Sequence, residues 1–194
     1  MSHFPEVLII GDSISIGYTP FVEKAFLGRA NVSRNEGNAS STIYTLEHID
    51  AWLGDTHWDV IHFNWGLHDL KFVDEDLTMV SVSEGRQLLS LDDYEKNLRV
   101  LVARLQKTGA KLIWAMTTPI PEGVSGRIPG DEIAYNAVAR KVMEETGVAI
   151  SDLYAVMAED RGNKGGKVAD VHYTDEGSEL LSRQVIQYIE DALK

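Results

Sequence analysis

Short apolar runs in this chain end, one after another, on residues able to do chemistry. Val7–Ile10 leads into Gly11-Asp12-Ser13-Ile14-Ser15, and a weaker run near Ala30–Ser33 leads into Asn35-Glu36-Gly37-Asn38. Val60–Phe63 leads into Asn64-Trp65-Gly66-Leu67-His68-Asp69, and Leu112–Met116 into Thr117-Thr118-Pro119. Asp170-Val171-His172 stands directly before a last helical pattern. A hydroxyl, imidazoles, carboxylates and glycine turns are the parts of acyl transfer. A serine hydroxyl is a poor nucleophile until a base takes its proton. An imidazole can do so near neutral pH, and a carboxylate or a carbonyl can fix its tautomer. Backbone N–H groups at a glycine turn or a helix start can hold the developing oxyanion. Ser13, at the exit of one run and the start of a helical pattern, can offer its own N–H there.

Each part also has a plainer reading. Gly-Asp-Ser fits a turn with a helix cap, and His172 before a helix fits a surface histidine. Asp12 and Asp69 fit loop braces that accept from turn N–H groups better than they fit acid–base groups. His48 falls on a helical face, and His57 and His62 flank or lie in a strand, so these three read as structural. His62, His68 and Asp69 are zinc-ligand types, but a strand carries His62 away from the loop that holds the other two. The strand–GDSISIG–helix pattern mimics a phosphate loop. Yet no Lys follows a second glycine as in Gly-Lys-Ser/Thr, and no Gly-x-Gly-x-x-Gly occurs.

The elements that must position these groups are βα units. The apolar runs are short enough for buried strands and are separated by helical patterns, which implies a mostly parallel sheet covered by helices on both faces. In such a sheet the working residues gather beyond the carboxyl ends of the strands. Leu91, Tyr94, Leu98, Leu101, Val102 and Leu105 keep helical spacing, with Asp92 and Asp93 in the first turn and Gly109 at the stop. Ile133, Ala134, Ala137, Val138 and Val142 form a second stripe ended by Gly147. Leu180, Leu181, Val185, Ile189 and Leu193 form the last stripe, with Thr174 as its N-cap. A further helix is expected from Ser41 to Leu53, with Ile43, Leu46, Ile49 and Leu53 inward. Lys71 to Ser90 has no clean period, and an irregular segment of that length is expected to be a lid or a pocket wall.

Composition bounds the partners. The 194 residues are expected to form one domain, residues 1–194, and a chain of this length buries roughly 70% of its unfolded surface without needing a staple. With 44% apolar and 25% charged residues, disorder and collagen-like repeats are excluded. Cysteine is absent, which removes disulfides, thiolate metal sites and cysteine nucleophiles together. Against 30 Asp and Glu stand 18 Lys and Arg, a net charge of −12. That field repels phosphate backbones and anionic membranes, so neither nucleic acid nor a membrane is expected as partner, and it weakly favours a neutral or cationic substrate. No apolar run approaches the roughly 20 residues of a membrane helix. Met-Ser-His-Phe-Pro-Glu lacks the basic start and apolar stretch of a signal peptide, so a cytoplasmic location is expected.

Taken in order, the blocks resemble those of the SGNH (GDSL-like) hydrolase family. Ser13 in "VLIIGDSIS" matches the nucleophile block and Gly37 in "NEGNASST" the glycine block. "GLHD", Gly66 to Asp69, matches the third block, which in most of the family reads Gly-x-Asn-Asp; "DVHYT", Asp170 to Thr174, matches the block carrying the base. The matches span residues 7 to 177, nearly the whole chain. The flanking "WAMTTPIPEG" and "VHYTDEGSELL" are similar to a bacterial subset that includes carbohydrate acetylesterases. The resemblance implies a three-layer αβα sandwich of flavodoxin-like type with a five-stranded parallel sheet, and ester hydrolysis without metal or cofactor. Ser13 would attack the ester carbonyl, His172 would take its proton, and the N–H groups of Ser13 and Gly37 with the His68 side chain would hold the oxyanion. The implied substrate is a small-molecule ester of a small acyl group, acetyl above all, with an acetylated saccharide as the form suggested by the bacterial subset. Trp65, and Trp114 at a strand end, fit a sugar-stacking surface and equally a core aromatic.

Two departures from the family pattern matter. His68 stands where the family has Asn; a neutral imidazole also donates one N–H when the correct tautomer is held. Ala169 stands three residues before His172, where the family has Asp, and Asp170 lies two before. Residues i and i+2 of an extended chain share a side, so Asp170 can still reach the ring; a backbone carbonyl orienting it is the other reading. A non-catalytic ligand-binding domain on the same fold is the rival for the whole chain, and these departures are its only support.

Overall fold

The residues of Val7–Ile10 and Val60–Phe63 are buried without alternation, the pattern of strands covered on both faces. The computed structural model describes residues 4–160 and 166–194. Its elements are β1 (Glu6–Ile10), α1 (Ser13–Phe26), β2 (Asn31–Arg34), α2 (Thr42–Leu53), β3 (Val60–Phe63), β4 (Phe72–Val73), β5 (Arg86–Gln87), α3 (Leu91–Gln106), β6 (Lys111–Ala115), α4 (Asp131–Thr146), β7 (Ala149–Ser151), α5 (Leu153–Asp160) and α6 (Asp175–Leu193).

Five strands form one parallel sheet in the order β2-β1-β3-β6-β7. The register pairs Val7 with Val60, Val60 with Lys111 and Ile113 with Ala149. Helices α1, α5 and α6 pack together as one layer, and α2, α3 and α4 as the other, so the chain is a three-layer αβα sandwich. Leaving β1, the chain first adds β2 on one side and then β3 on the other, so strand order reverses at β1. In an open parallel sheet a ligand crevice lies beyond the carboxyl ends of the strands flanking such a point. Among the described residues no helix is long and apolar enough to cross a membrane.

Two expected inward faces are rotated. On α4, Ile133 is 57% exposed, and the buried positions include Glu132, Tyr135, Asn136, Ala139, Val142 and Met143. Glu132 accepts from the N–H groups of Ile120 and Gly130. Asn136 accepts from Thr117 N–H at 2.8 Å and donates to Thr117 O at 2.8 Å. Polar side chains that satisfy the loop after β6 thus set the buried face, and a hydrophobic count reads them as outside. On α2, Ile43 is exposed, whereas Thr42 and Thr45 are buried, because Thr42 donates to Asp69 and Thr45 to Ala39 O. Lys71 to Ser90 carries the antiparallel β4–β5 pair, with a further bridge from Val73 to Met79.

Candidate active site

The crevice at the strand reversal receives Ser13 from β1 and the 66–69 loop from β3. Asp12 caps α1: its Oδ1 accepts from Ile14 N–H at 2.9 Å, which makes Ser13 the first helical residue. A first-turn N–H has no partner within its own helix, so the Ser13 N–H is directed out of the helix start. His172 arrives from the opposite end of the chain, two residues before Thr174, whose Oγ1 accepts from Gly177 N–H and caps α6. Ser13 Oγ lies 2.8 Å from His172 Nε2. Asp170 Oδ1 accepts from His172 Nδ1 at 2.6 Å and from the His172 backbone N–H at 3.0 Å. That double acceptance is an Asx-type turn, entered through Ala169 at φ +52°. The backbone N–H bond, with the ring bond adding to it, holds the Asp170 carboxyl below the usual carboxylate range.

Facing Ser13 is the turn after β2. Gly37 has φ +65°, a conformation open to glycine and strained for residues with a Cβ. Arg34, which the sequence reading passed over, organises this turn. Its guanidinium donates to Gly11 O at 2.7 Å, Asn35 O at 2.9 Å and Gly37 O at 2.5 Å, and also reaches Ser15 Oγ. Asn35 Oδ1 accepts from Gly11 N–H at 3.0 Å. With their carbonyls held by one cation, the peptides at the nucleophile turn and the glycine turn are fixed relative to each other. A basic residue at the last position of a strand, directly before a glycine turn, was the available signal.

His68 closes the third side. Its Nδ1 lies 3.3 Å from Ser40 Oγ. Burial first, then the charges of Arg127, Lys71 and His172, push the His68 imidazole down to about 3, so it is neutral across the working pH range. In the tautomer whose Nδ1 accepts from the Ser40 hydroxyl, Nε2 carries the proton and its N–H is a donor. Asp69 beside it is a brace: its Oδ1 accepts from Thr42 N–H at 2.8 Å and Thr42 Oγ1 at 2.6 Å. Burial pushes its carboxyl up to about 7. Gly66 is required by close approach, since a Cβ there would meet Thr117 Oγ1 at 2.2 Å.

Trp65 does not line the crevice and cannot stack on a sugar. It is 0% exposed, as is Trp114. Two residues after Phe63, it continues the alternation of β3 and lands on the same face, with ring centroids 5.1 Å apart. His62 lies buried inside β3, His48 stacks on Tyr44 along α2, and His57 is exposed before β3. His62, His68 and Asp69 do not converge, and among the described residues no three His, Cys, Asp or Glu side chains could hold a metal. A depression of about 860 Å³ at the opposite end of the sheet, bordered by Gln106, Lys111 and Tyr188, holds no imidazole.

The fold is a parallel αβα sandwich in which the Ser13 turn, the Gly37 turn, the 66–69 loop and the 170–172 segment meet at one strand reversal, an arrangement suited to ester hydrolysis. The model of the GDSL-like lipase/acylhydrolase family matches residues 9–180, and the chain belongs to that family. It is therefore an esterase/acylhydrolase. A GDSL esterase/lipase of Arabidopsis thaliana is 24% identical, covering 97% of this chain and 86% of the relative. Among solved structures, a lipase/acylhydrolase from Enterococcus faecalis superposes with a TM-score of 0.76 at 17% identity, covering 97% of this chain and 96% of the other. An acetyl xylan esterase from Geobacillus stearothermophilus, carrying a tryptophan substitution, gives a TM-score of 0.76 at 19% identity with the same coverages, 97% and 96%.

Proposed function

We propose that the chain is a serine esterase that removes a small acyl group, acetyl, from an alcohol through an acyl-Ser13 intermediate. The observation that carries this reading is the relay Ser13 Oγ–His172 Nε2–Asp170 Oδ1, at 2.8 and 2.6 Å. His172, with Nδ1–H donated to Asp170, has Nε2 free to accept the Ser13 proton as Oγ attacks the carbonyl carbon. The carbonyl oxygen becomes an oxyanion, held by the N–H groups of Ser13 and Gly37 and by His68 Nε2–H. Collapse of the tetrahedral species breaks the bond to the alcohol, which takes the proton from His172. Water then repeats the sequence on the acyl-serine, releasing the acid and restoring Ser13. A saccharide as the alcohol is supported by the acetyl xylan esterase among the structural neighbours. The test is hydrolysis of an alkyl acetate by wild type and by Ser13→Ala. The variant should fold normally and lose about 10³–10⁶ in rate, and a serine-directed phosphonate should label Ser13. Retained turnover with label on Ser15 would move the nucleophile. Absence of hydrolysis in wild type would favour a ligand-binding domain.

A further inference from the structure

The protein is strongly acidic, with a net charge of −12, yet two cations stand together beside the 66–69 loop with no carboxylate, among the described residues, in ion-pair contact with either. Arg127 is 8% exposed. Its Nε donates to Leu67 O at 2.8 Å, one residue before His68, and its Nη1 lies 3.7 Å from the Met79 sulfur. Phe72 N–H donates to Gly126 O at 2.8 Å, which joins the backbone carrying Lys71 to the backbone carrying Arg127. Met79 and Val80 pack on Gly126, where a Cβ would meet them at 2.7–2.8 Å, so the β4–β5 segment is seated on this loop. Among the described residues no carboxylate lies within 4.0 Å of either Arg127 or half-buried Lys71, although both are close enough to repel each other and His68. The carboxylates whose fields reach the pair, Asp12 and Asp170 at Arg127 and Asp69 at Lys71, are committed elsewhere, to Ile14 N–H, to His172 and to Thr42.

Two like charges brought together in a half-dry site cost stability unless something pairs with them. A guanidinium with free N–H groups matches a carboxylate by its planar fork, and an ammonium beside it adds a point charge. We infer that Arg127 and Lys71 bind a carboxylate on the substrate, so that the natural ester is an acetylated alcohol bearing an acid group. This rests on the esterase reading above: an acetyl group has no room for a charge, so the carboxylate belongs to the alcohol part. The long-range field of the protein opposes such a substrate, and the local pair must overcome it at contact.

The experiment uses 4-acetoxybenzoate and its uncharged methyl ester on the full chain, with wild type, Arg127→Gln, Arg127→Lys and Lys71→Gln. Wild type should favour the acid in kcat/KM by about 10–100-fold, the range of charge-assisted hydrogen bonds. That preference should shrink with added salt. Arg127→Gln should bring the ratio close to one whatever it does to absolute rate, Arg127→Lys should recover part, and Lys71→Gln should lower the ratio several-fold. Binding of 4-hydroxybenzoate, followed by calorimetry, gives a readout independent of turnover and should weaken about tenfold or more in Arg127→Gln. Equal rates on both esters in wild type, with Ser13→Ala inactive, would overturn the inference and leave the esterase reading intact. Arg127→Gln lowering both esters equally would also overturn it, making Arg127 a positioning residue for the oxyanion loop. A preference for 4-nitrophenyl hemisuccinate over the butyrate, with none for 4-acetoxybenzoate, would overturn the assignment to the alcohol. If wild type hydrolyses neither ester, the esterase reading fails, and the calorimetry still decides whether the pair takes a carboxylate.

Discussion

Replacing Asp170 with Asn removes a charge while leaving an oxygen that can accept the same two N–H groups. Because Oδ1 takes both the His172 Nδ1–H and the His172 backbone N–H, the amide oxygen can occupy that position with its NH₂ turned outward. The ring then keeps its orientation and tautomer, and only the attraction between carboxylate and the transient imidazolium is lost. Unit charges about 4 Å apart interact by about 1 kcal/mol in water and about 4 kcal/mol at an effective dielectric of 20. The His172 and Asp170 side chains are 44% and 40% exposed, which draws the value toward about 1–3 kcal/mol, or about 5–150-fold in rate. Asp170→Ala loses the acceptor as well and frees the ring, so its cost should reach about 10²–10⁴. The assay is pH-stat hydrolysis of an alkyl acetate, whose alkoxide needs the proton from His172. With 4-nitrophenyl acetate the Asn effect should be smaller, because nitrophenolate leaves without one. Melting curves for both variants separate loss of fold from loss of chemistry. If Asn costs less than about twofold, or if Asn and Ala cost the same and less than about tenfold, Asp170 does not orient the ring and a carbonyl or solvent does.

His68→Ala should lower kcat by about 10²–10³ with KM nearly unchanged, the cost of one oxyanion donor. His68→Asn should recover part of it. Since His68 is held neutral, with its imidazole pushed down to about 3, the pH–rate profile of His68→Asn should keep the shape of the wild-type profile from pH 5 to 8; an altered limb would show that His68 titrates during turnover. Arg34→Ala should lower kcat on the order of 10²-fold by releasing the carbonyls of Gly11, Asn35 and Gly37, and steady-state kinetics with an unchanged melting temperature would establish that role. Buried His62, whose ring nitrogens have no partner, is pushed down to about 4 by burial. The unfolded chain binds that proton near 6.5, so between about pH 6.5 and 4 the unfolded state gains protons the folded state refuses, and stability falls with pH by up to about 3 kcal/mol from this group. Urea titrations of His62→Leu should show that part of the acid loss removed, and equal slopes for both proteins would refute it.

The strands were legible because a buried parallel strand is a short unbroken apolar run, and β1 and β3 are such runs. Helix faces were legible where the buried side chains are apolar, as on α3 with Tyr94, Leu98, Leu101 and Leu105. They were misread where Glu132, Asn136, Thr42 and Thr45 face inward to satisfy backbone groups, because that signal depends on the tertiary partner. The residues around the crevice were legible from their positions at strand exits, which a parallel sheet brings to one edge. Of the two readings open for Trp65 the core one holds, the sugar-stacking one failing for a geometric reason: strand alternation runs past the last hydrogen-bonded residue and carries Trp65 into the core. Arg127 and Lys71 were invisible because what surrounds them, Leu67 O and one another, is distant in sequence, whereas Arg34 left only its place at the end of a strand before a glycine turn. An unpaired charge is defined only by what the fold leaves out of its reach.

Ser13 and His172 stand 159 positions apart, one opening the first helix and the other just before the last. The two helices, α1 and α6, pack against each other on one face of the sheet, so on the mechanism proposed above the hydroxyl acquires its base only when the final helix docks. A chain emerging from synthesis builds its N-terminal elements first, and until residue 172 arrives it carries an ordinary, unreactive serine. On that mechanism, hydrolytic competence would be a report on completed folding. In refolding from urea, recovery of esterase rate should trail the return of the far-UV helical signal, since contacts of such long sequence separation form late.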